Sequence, residues 1–345
     1  MSAQILITGA TGFIGRQLTR DLSAQGTGVR VLARSQRKAR ELFGEDVEIC
    51  AGDVGDAATL EEACRGIATV YHIAGTYRFG LRHRHELWRT NVDGAENLFQ
   101  AAWDARVEKV VHLSSGGVLK RRDDARLIDE TDFPAYAPRF CPYKASKWHA
   151  EQRALAWAGR GLPVSIASTT CPIGRGDETP TPTGRIVRDF LRRQFPFYCR
   201  TGLNFVGIRD LSAGLQRVAQ QGRPGERYLL SDENVWLKDF LQLLSAETNL
   251  AAPRMWLPMP VIGIIGCGGE VFDLLARQGP SARVCLETSV QSRCTQFYSN
   301  AKAREELGWK LSSSIQESIS EAVAWFRSEA EIELATVSSL ESHVR

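Results

Sequence analysis

Short apolar runs punctuate the first half of the chain, and the segments between them carry apolar residues at helical spacing. The runs are Ile5-Leu6-Ile7, Gly28 to Ala33, Val47 to Cys50, Val70 to Ile73, Lys109 to Leu113 and Val164 to Thr169. Each is too short for a helix and rich enough in Val, Ile and Leu for a buried strand. The longest helical segment spans roughly 84 to 104, before the fifth run, and another begins near Tyr143. This alternation predicts an α/β fold with a doubly wound parallel sheet, whose ligands lie at the carboxyl ends of the strands. Past Cys171 the alternation stops. The sequence there is richer in Pro, Gly and Arg, with short helical patterns near 184 to 194, 209 to 220 and 237 to 247. The expected division is a sheet domain over 1–170, a smaller substrate lobe over 171–330 that returns to the sheet once or twice, and a mobile polar tail over 331–345.

The first run leads into Thr8-Gly9-Ala10-Thr11-Gly12-Phe13-Ile14-Gly15. Glycines at every third position between a strand and a helix suit a tight turn, backbone approach to a diphosphate, and close packing of the helix on the sheet. N–H groups at the helix start then face the anion. This is the pattern of a Rossmann dinucleotide site. An ordinary glycine turn is the competing reading, and position near the N-terminus together with later residues weighs against it. Further along, Tyr143 and Lys147 stand four apart on a helix, which puts a phenol and an ammonium on one face. A free Tyr, with a pKa of about 10, exchanges protons poorly at neutral pH; a neighbouring ammonium favours its phenolate. Ser114 and Ser115 end the fifth run, where a hydroxyl can hydrogen-bond a substrate oxygen beside Tyr143. Their structural alternative is a serine cap after a strand.

Composition narrows the partners. A chain of 345 residues, 43% hydrophobic and 24% charged, is neither disordered nor fibrous. Its 43 Lys and Arg against 40 Asp and Glu give a charge of +3, with no long basic run, which excludes nucleic acid and leaves a small molecule as partner. Eight cysteines are scattered without a CxxC pair or zinc-like spacing, so no metal is expected and they read as reduced thiols of a cytoplasmic protein. No charged leader precedes the first apolar run, so no signal peptide is expected. No segment reaches the roughly 18 apolar residues of a membrane span. His83 and His85 lie among Arg78, Arg82 and Arg84 without ligand spacing for a metal, and read as a solvated or substrate-facing loop. The apolar stretch Met255 to Cys267 contains Pro258, Pro260 and Gly263, which suit a packed helix of the lobe or a greasy pocket better than membrane contact.

Taken together, the glycine motif, Asp53 after the third run, His72-Ile73-Ala74-Gly75 after the fourth, Asn91, Ser114-Ser115 and Tyr143-xxx-Lys147 resemble an extended short-chain dehydrogenase/reductase over about residues 1 to 330. Gly75-Thr76-Tyr77-Arg78, Tyr143 through Glu151, and Pro172-Ile173-Gly174-Arg175 through Arg185 resemble the hopanoid-associated sugar epimerase and dihydroflavonol-reductase-like branch of that superfamily of NAD-dependent epimerases and dehydratases. Asn300 through Trp309 resembles the family's C-terminal signature. The resemblance implies that Tyr143 is the catalytic acid/base and Lys147 the ribose ligand and modifier of its pKa. It makes Ser115 the donor to the substrate oxygen, with Ser114 as the fallback. Gly9, Thr11, Gly12, Phe13 and Ile14 would meet the cofactor diphosphate, Asp53 and Val54 the adenine, Ala74 and Gly75 the diphosphate and ribose, and Pro172 with Ile173 the carboxamide. Two departures stand out: Gly116-Gly117-Val118 follows the serines, and Thr169-Thr170-Cys171-Pro172 lacks the Asn with which relatives hold a sugar diphosphate. The second argues against a nucleotide sugar.

The implied activity is hydride transfer between nicotinamide and a carbonyl or secondary alcohol of a small organic substrate, with an apolar pocket as one reading of the lobe. A sugar epimerase with tightly held NAD(P) and no net redox change is the alternative, and a non-catalytic dinucleotide sensor, which has no use for the Tyr-Lys pair, is the second. An oligomer is left open. NAD-specific folds of this kind place an acid at the end of the second strand; here Ala33-Arg34-Ser35 puts a cation and a hydroxyl there. Arg34 and Ser35, with Arg37 or Lys38 behind them, can receive a 2′-phosphate, so NADP(H) is expected over NAD(H). A solvent-facing Arg34 is the plainer reading.

Overall fold

All six apolar runs become strands: β1 (Ile5–Thr8), β2 (Val29–Ala33), β3 (Glu48–Ala51), β4 (Thr69–His72), β5 (Lys109–Ser115) and β6 (Val164–Thr169). The computed structural model describes residues 4–120, 126–138, 141–194, 197–275, 287, 289–290 and 295–343. Later in the chain come β7 (Cys171–Ile173), β8 (Phe197–Tyr198), β9 (Gly202–Gly207), β10 (Arg227–Leu230), β11 (Glu233–Trp236) and β12 (Met255–Trp256). Of these, β10 returns to the main sheet. It pairs in parallel with β6 and completes the order β10-β6-β5-β4-β1-β2-β3. The order reverses between β1 and β4, the place where such sheets bind ligands.

Helices cover both faces, which is why the strands read as continuous apolar runs. On one face Leu6, Leu32, Val110 and Ile166 pack with α3 (Ala57–Cys64), α5 (Gly94–Asp104) and α6 (Pro142–Gly159). On the other, Ile7, Val31, Val111 and Ala167 meet α1 (Phe13–Ala24), α2 (Gln36–Phe43), α8 (Ile208–Gln221) and α11 (Ala301–Leu307). Fully burying a Val, Leu or Ile side chain here stabilises by about 1.5–3 kcal/mol, and the few polar side chains that the strands bury, Thr8 and His72 among them, sit within these apolar faces. A separate core of Ile173, Val187, Phe205, Phe240, Ile319 and Phe326 holds the lobe, where α7 (Pro182–Leu191) and α9 (Leu237–Thr248) pack with the last helix, α12 (Ile315–His343). In the lobe β11, β9 and β7 form a small sheet, and β12 pairs with β8.

Three elements depart from the sequence reading. The helix expected over 84 to 104 is α4 (Arg84–Trp88) and α5 joined by a π-helical turn at Arg89–Asp93. The apolar stretch from Met255 forms a helix packed on one side only, through Ile262, Glu270 and Asp273. This helix, α10 (Met259–Leu275), leaves Val261, Ile264, Ile265, Val271 and Phe272 exposed. The tail segment continues α12 as far as His343.

Trp309 seals the junction of α8 with the C-terminal signature. It is fully buried, and its indole N–H donates to the Asp210 carbonyl at 3.0 Å. Asp210 in turn accepts from the Ser312 and Ser313 N–H groups at 2.7 and 3.2 Å. Trp309→Ala should therefore cost about 3–5 kcal/mol of unfolding free energy, read from urea denaturation. A loss under about 1 kcal/mol would show that the signature does not anchor α8.

Candidate active site

Glycine shapes the loop between β1 and α1. Gly9 has φ +74°, and a Cβ there would lie 2.6 Å from the Ala74 nitrogen. A Cβ at Gly15 would come within 2.2 Å of the Gly9 oxygen. Neither position admits a side chain. Gly12 precedes α1 without a side-chain cap, and no acid occupies the first turn. Its leading N–H groups, at Phe13 and Ile14, are thus open to an anion. Thr11 and Gly12 stay partly or fully exposed at this edge. Thr8 Oγ1 joins β1 to β4, lying 2.8 Å from His72 Nδ1 and accepting from the Ala74 N–H at 3.2 Å. Burial, then the Lys147 charge, pushes His72 down to about 3, so that contact is neutral. A glycine cradle that any Cβ would fill, followed by an unblocked helix start, fits a dinucleotide diphosphate.

At the far end of β2 the Arg34 side chain is 83% exposed, with Nε 3.9 Å from Asp53 Oδ2. Ser35 caps α2, accepting from the Lys38 N–H at 3.2 Å. Val54 follows Asp53 into the core beneath α5. Arg34, Ser35 and Asp53 are therefore together, whereas Arg37 turns aside to Glu41 at 2.7 Å. Lys38 donates to Glu178 at 3.0 Å, and Arg16 pairs with the same carboxylate.

Around α6 the structure gathers the chemistry. Tyr143 is 6% exposed, and the nearby Ser115 hydroxyl favours its phenolate. Lys147 Nζ donates to the Leu113 carbonyl at 2.8 Å, and a Cβ on Gly75 would lie 3.4 Å from that nitrogen. Ser115, Tyr143, Lys147 and Gly75 thus share one cleft with the glycine loop, through Ala74. The Tyr-Lys spacing argues for a lowered phenol pKa; burial reverses it. Desolvation pushes Tyr143 above its ordinary value, against the Ser115 hydroxyl, and Glu287 and Cys171 push the same way as burial. Burial lowers Lys147 to about 8, opposed by Glu151. The phenol is therefore held as a proton donor. Pro172 and Ile173 are buried on β7, directly past the end of β6, and the neighbouring Cys171 thiol is pushed up to about 11 by burial.

Ser114 is not in this cleft. Its hydroxyl donates to Glu151 Oε2 at 2.6 Å in the interior, so the second serine alone faces Tyr143. Glu151 also pairs with Arg227 from β10, whose guanidinium donates to the Glu130 carbonyl at 3.0 Å and lies 4.1 Å over the Phe133 ring.

Several site residues carried no role in the sequence reading. Tyr77 and Phe79 set their rings against Tyr143, with centroids 4.1 and 5.9 Å away. Asn91 holds their loop: its amide accepts from the Thr76 N–H at 2.7 Å, and donates to the Thr76 carbonyl at 3.1 Å and to Ser146 Oγ at 2.9 Å. Glu287 is buried near the start of α6, and burial raises it to about 7 against the Gly80, Lys144 and Tyr143 N–H groups. Tyr77 stood in a quoted motif, Gly75-Thr76-Tyr77-Arg78, whereas Phe79 was not singled out. Glu287, distant in sequence, carried no local signal.

Comparison with known proteins agrees with this geometry. The model of the NAD dependent epimerase/dehydratase family matches residues 5–231. The Synechocystis protein "Putative dihydroflavonol 4-reductase" is 35% identical over 335 residues, covering 95% of both chains. "Sterol demethylase protein B" of Methylococcus capsulatus is 29% identical, covering 93% of this chain and 98% of its own. The crystal structure of gox2253 superposes with a TM-score of 0.82 at 33% identity, over 94% of this chain and 98% of that one. With its seven-stranded Rossmann sheet and its glycine loop, the chain belongs to the NAD dependent epimerase/dehydratase family, as an NAD(P)-dependent extended short-chain dehydrogenase/reductase.

Proposed function

We propose that the protein is a reductase that prefers NADP(H) and acts on a carbonyl, or in reverse a secondary alcohol, of a small apolar substrate. The observation that carries this reading is a buried, protonated Tyr143 beside the Ser115 hydroxyl, under the rings of Tyr77 and Phe79. Gly9, Thr11, Gly12, Phe13 and Ile14 would hold the cofactor diphosphate, Ala74, Gly75 and Lys147 the ribose, Asp53 and Val54 the adenine, and Pro172 with Ile173 the carboxamide. The bound nicotinamide supplies or accepts the hydride. Ser115 and Tyr143 hold the substrate oxygen between two hydroxyls. As negative charge grows on that oxygen, Tyr143 gives up its proton, and the nearby Lys147 charge favours the phenolate that remains. Tyr77 and Phe79 keep water from the cleft.

Epimerisation of a nucleotide sugar is less well supported. Thr170, in place of the expected Asn, donates its hydroxyl to the buried Asn204 at 2.7 Å and is occupied. The names of the two relatives refer to a dihydroflavonol and to a sterol, neither of them a nucleotide sugar. Purified protein that holds NAD(H) tightly and shows no net turnover with NADPH and a carbonyl panel would favour epimerisation instead.

Three outcomes are expected. Tyr143→Phe keeps the ring and loses the proton, so kcat should fall about 10²–10⁴-fold while cofactor affinity stays. Unchanged turnover in NADPH oxidation assays would end the assignment. Free Lys147 titrates at about 8, so the ammonium that serves the ribose is lost as pH rises through that value. Dinucleotide affinity should therefore decline above about pH 8, and Lys147→Met should be weaker and flat across that range. Calorimetric titration showing a pH-independent wild type would remove the ribose role. Finally, Arg34 should favour the 2′-phosphate by charge-assisted hydrogen bonds, and Arg34→Asp should erase or reverse the preference, by about tenfold or more in relative Kd. Equal affinities for NADPH and NADH in the unmodified protein would show that Arg34 does not select.

A further inference from the structure

Helix α10 is inside out. Its two acids face the protein: Glu270, 5% exposed, accepts from the Leu81 N–H at 2.7 Å, and Asp273, 1% exposed, lies beside Gly80. Its outer face carries Val261, Ile264, Ile265, Cys267, Gly268, Val271 and Phe272, without a charged or hydrogen-bonding polar side chain among its exposed described residues. The spacing is helical, so these form one continuous stripe. Ile264 is 74% exposed. Met255 and Trp256 on β12, just before the helix in sequence, are exposed as well, and of the fourteen exposed large hydrophobics among the described residues, seven lie between 255 and 272. A solvated helix turns its charges outward; this one does the reverse.

We propose that this face docks on the surface of an anionic lipid bilayer. A protein partner would need hydrogen bonds at a density of about one per 100–200 Å², and the stripe offers no side chain to make them. A bilayer asks for none. The rim has the matching charge: Arg254 precedes Met255, and Arg200 follows the β8 strand that pairs with β12, both exposed. Arg193, also exposed, lies just before β8. An aliphatic stripe with Trp256 just before it in sequence and arginines beside that is the composition of an interfacial anchor that lies flat without crossing. No described helix is long and apolar enough to span a membrane. The position matters for function, because the inner side of α10 grips the loop whose Tyr77 and Phe79 roof Tyr143. An apolar substrate dissolved in the bilayer would reach the cleft without passing through water. This reverses the sequence expectation that the stretch avoids membranes.

The test is cosedimentation of the full chain with vesicles of phosphatidylcholine and phosphatidylglycerol. The protein should pellet with them, less with pure phosphatidylcholine and less in high salt. The double variant Ile264→Glu, Phe272→Glu should lose about tenfold or more of the bound fraction, with its thermal midpoint and NADPH binding unchanged. In the unmodified protein, lipids brominated along the acyl chain should quench tryptophan fluorescence, and Trp256→Phe should remove that quenching. Absence of pelleting, equal pelleting of the variant, or quenching that survives Trp256→Phe would overturn the proposal. So would a dimer, seen by light scattering, that the Glu pair dissociates while vesicles bind neither form. None of these readouts requires turnover, so the reductase reading can fail separately.

Discussion

The ammonium of Lys147 is buried against the sheet with a backbone carbonyl as its hydrogen-bond partner, and the candidate site is arranged around that fact. Moving a cation out of water costs several kcal/mol, and a single carbonyl does not offset it. Glu151, one turn further along α6, supplies opposite charge from 0% exposure; burial raises its pKa, and the Arg227 charge and a hydrogen bond from Ser114 oppose that rise. Tyr143, Lys147 and Glu151 at successive turns therefore bury a donor, a cation and an anion on one helical face. Arg227 arrives on β10, the strand that returns last to the sheet. The polar chain beneath α6 is thus incomplete until the late part of the sequence has come back to the early part.

What the sequence revealed follows the range of the interactions involved. Strands buried on both faces announce themselves as apolar runs, and Gly9 and Gly15 are dictated by backbone neighbours within the same loop or on the adjacent strand. The Tyr143–Lys147 spacing is likewise local, so the shared face was legible. The resemblance put Ser115 ahead of Ser114, but spacing alone offered no reason, because that depends on which serine meets Glu151 thirty-seven positions away. Nor was the raised pKa of Tyr143 legible, since spacing shows the ammonium but not the burial that desolvates the phenol. Helix α10 misled for a related reason: the apolar stretch Met255 to Cys267 with its Pro258, Pro260 and Gly263 reads as packed, and nothing local shows that the acids just beyond it, Glu270 and Asp273, take the inner side.

One carboxylate ties the lobe to the cofactor domain. Glu178, just past β7, bridges Arg16 on α1 and Lys38 on α2. Arg16 is buried and Lys38 partly exposed, so the contact has one fixed and one adjustable end. Lys38 also neighbours Arg34 and Ser35, where a 2′-phosphate would sit in the reading offered above. Both anions would draw on the same lysine, which links occupancy of the adenosine end to the position of the lobe.

The π-helical turn at Arg89–Asp93 has a quieter consequence. One extra residue in the turn advances the phase of everything after it by about 100°. Before the turn, α4 presents its side chains to α6 and the basic loop; after it, α5 lays Ala95, Leu98 and Ala102 against the sheet. An unbroken helix has a single phase and could satisfy only one of these surfaces. The slip lets one continuous rod be keyed to two locks, and it places Asn91 at the point where the keying changes.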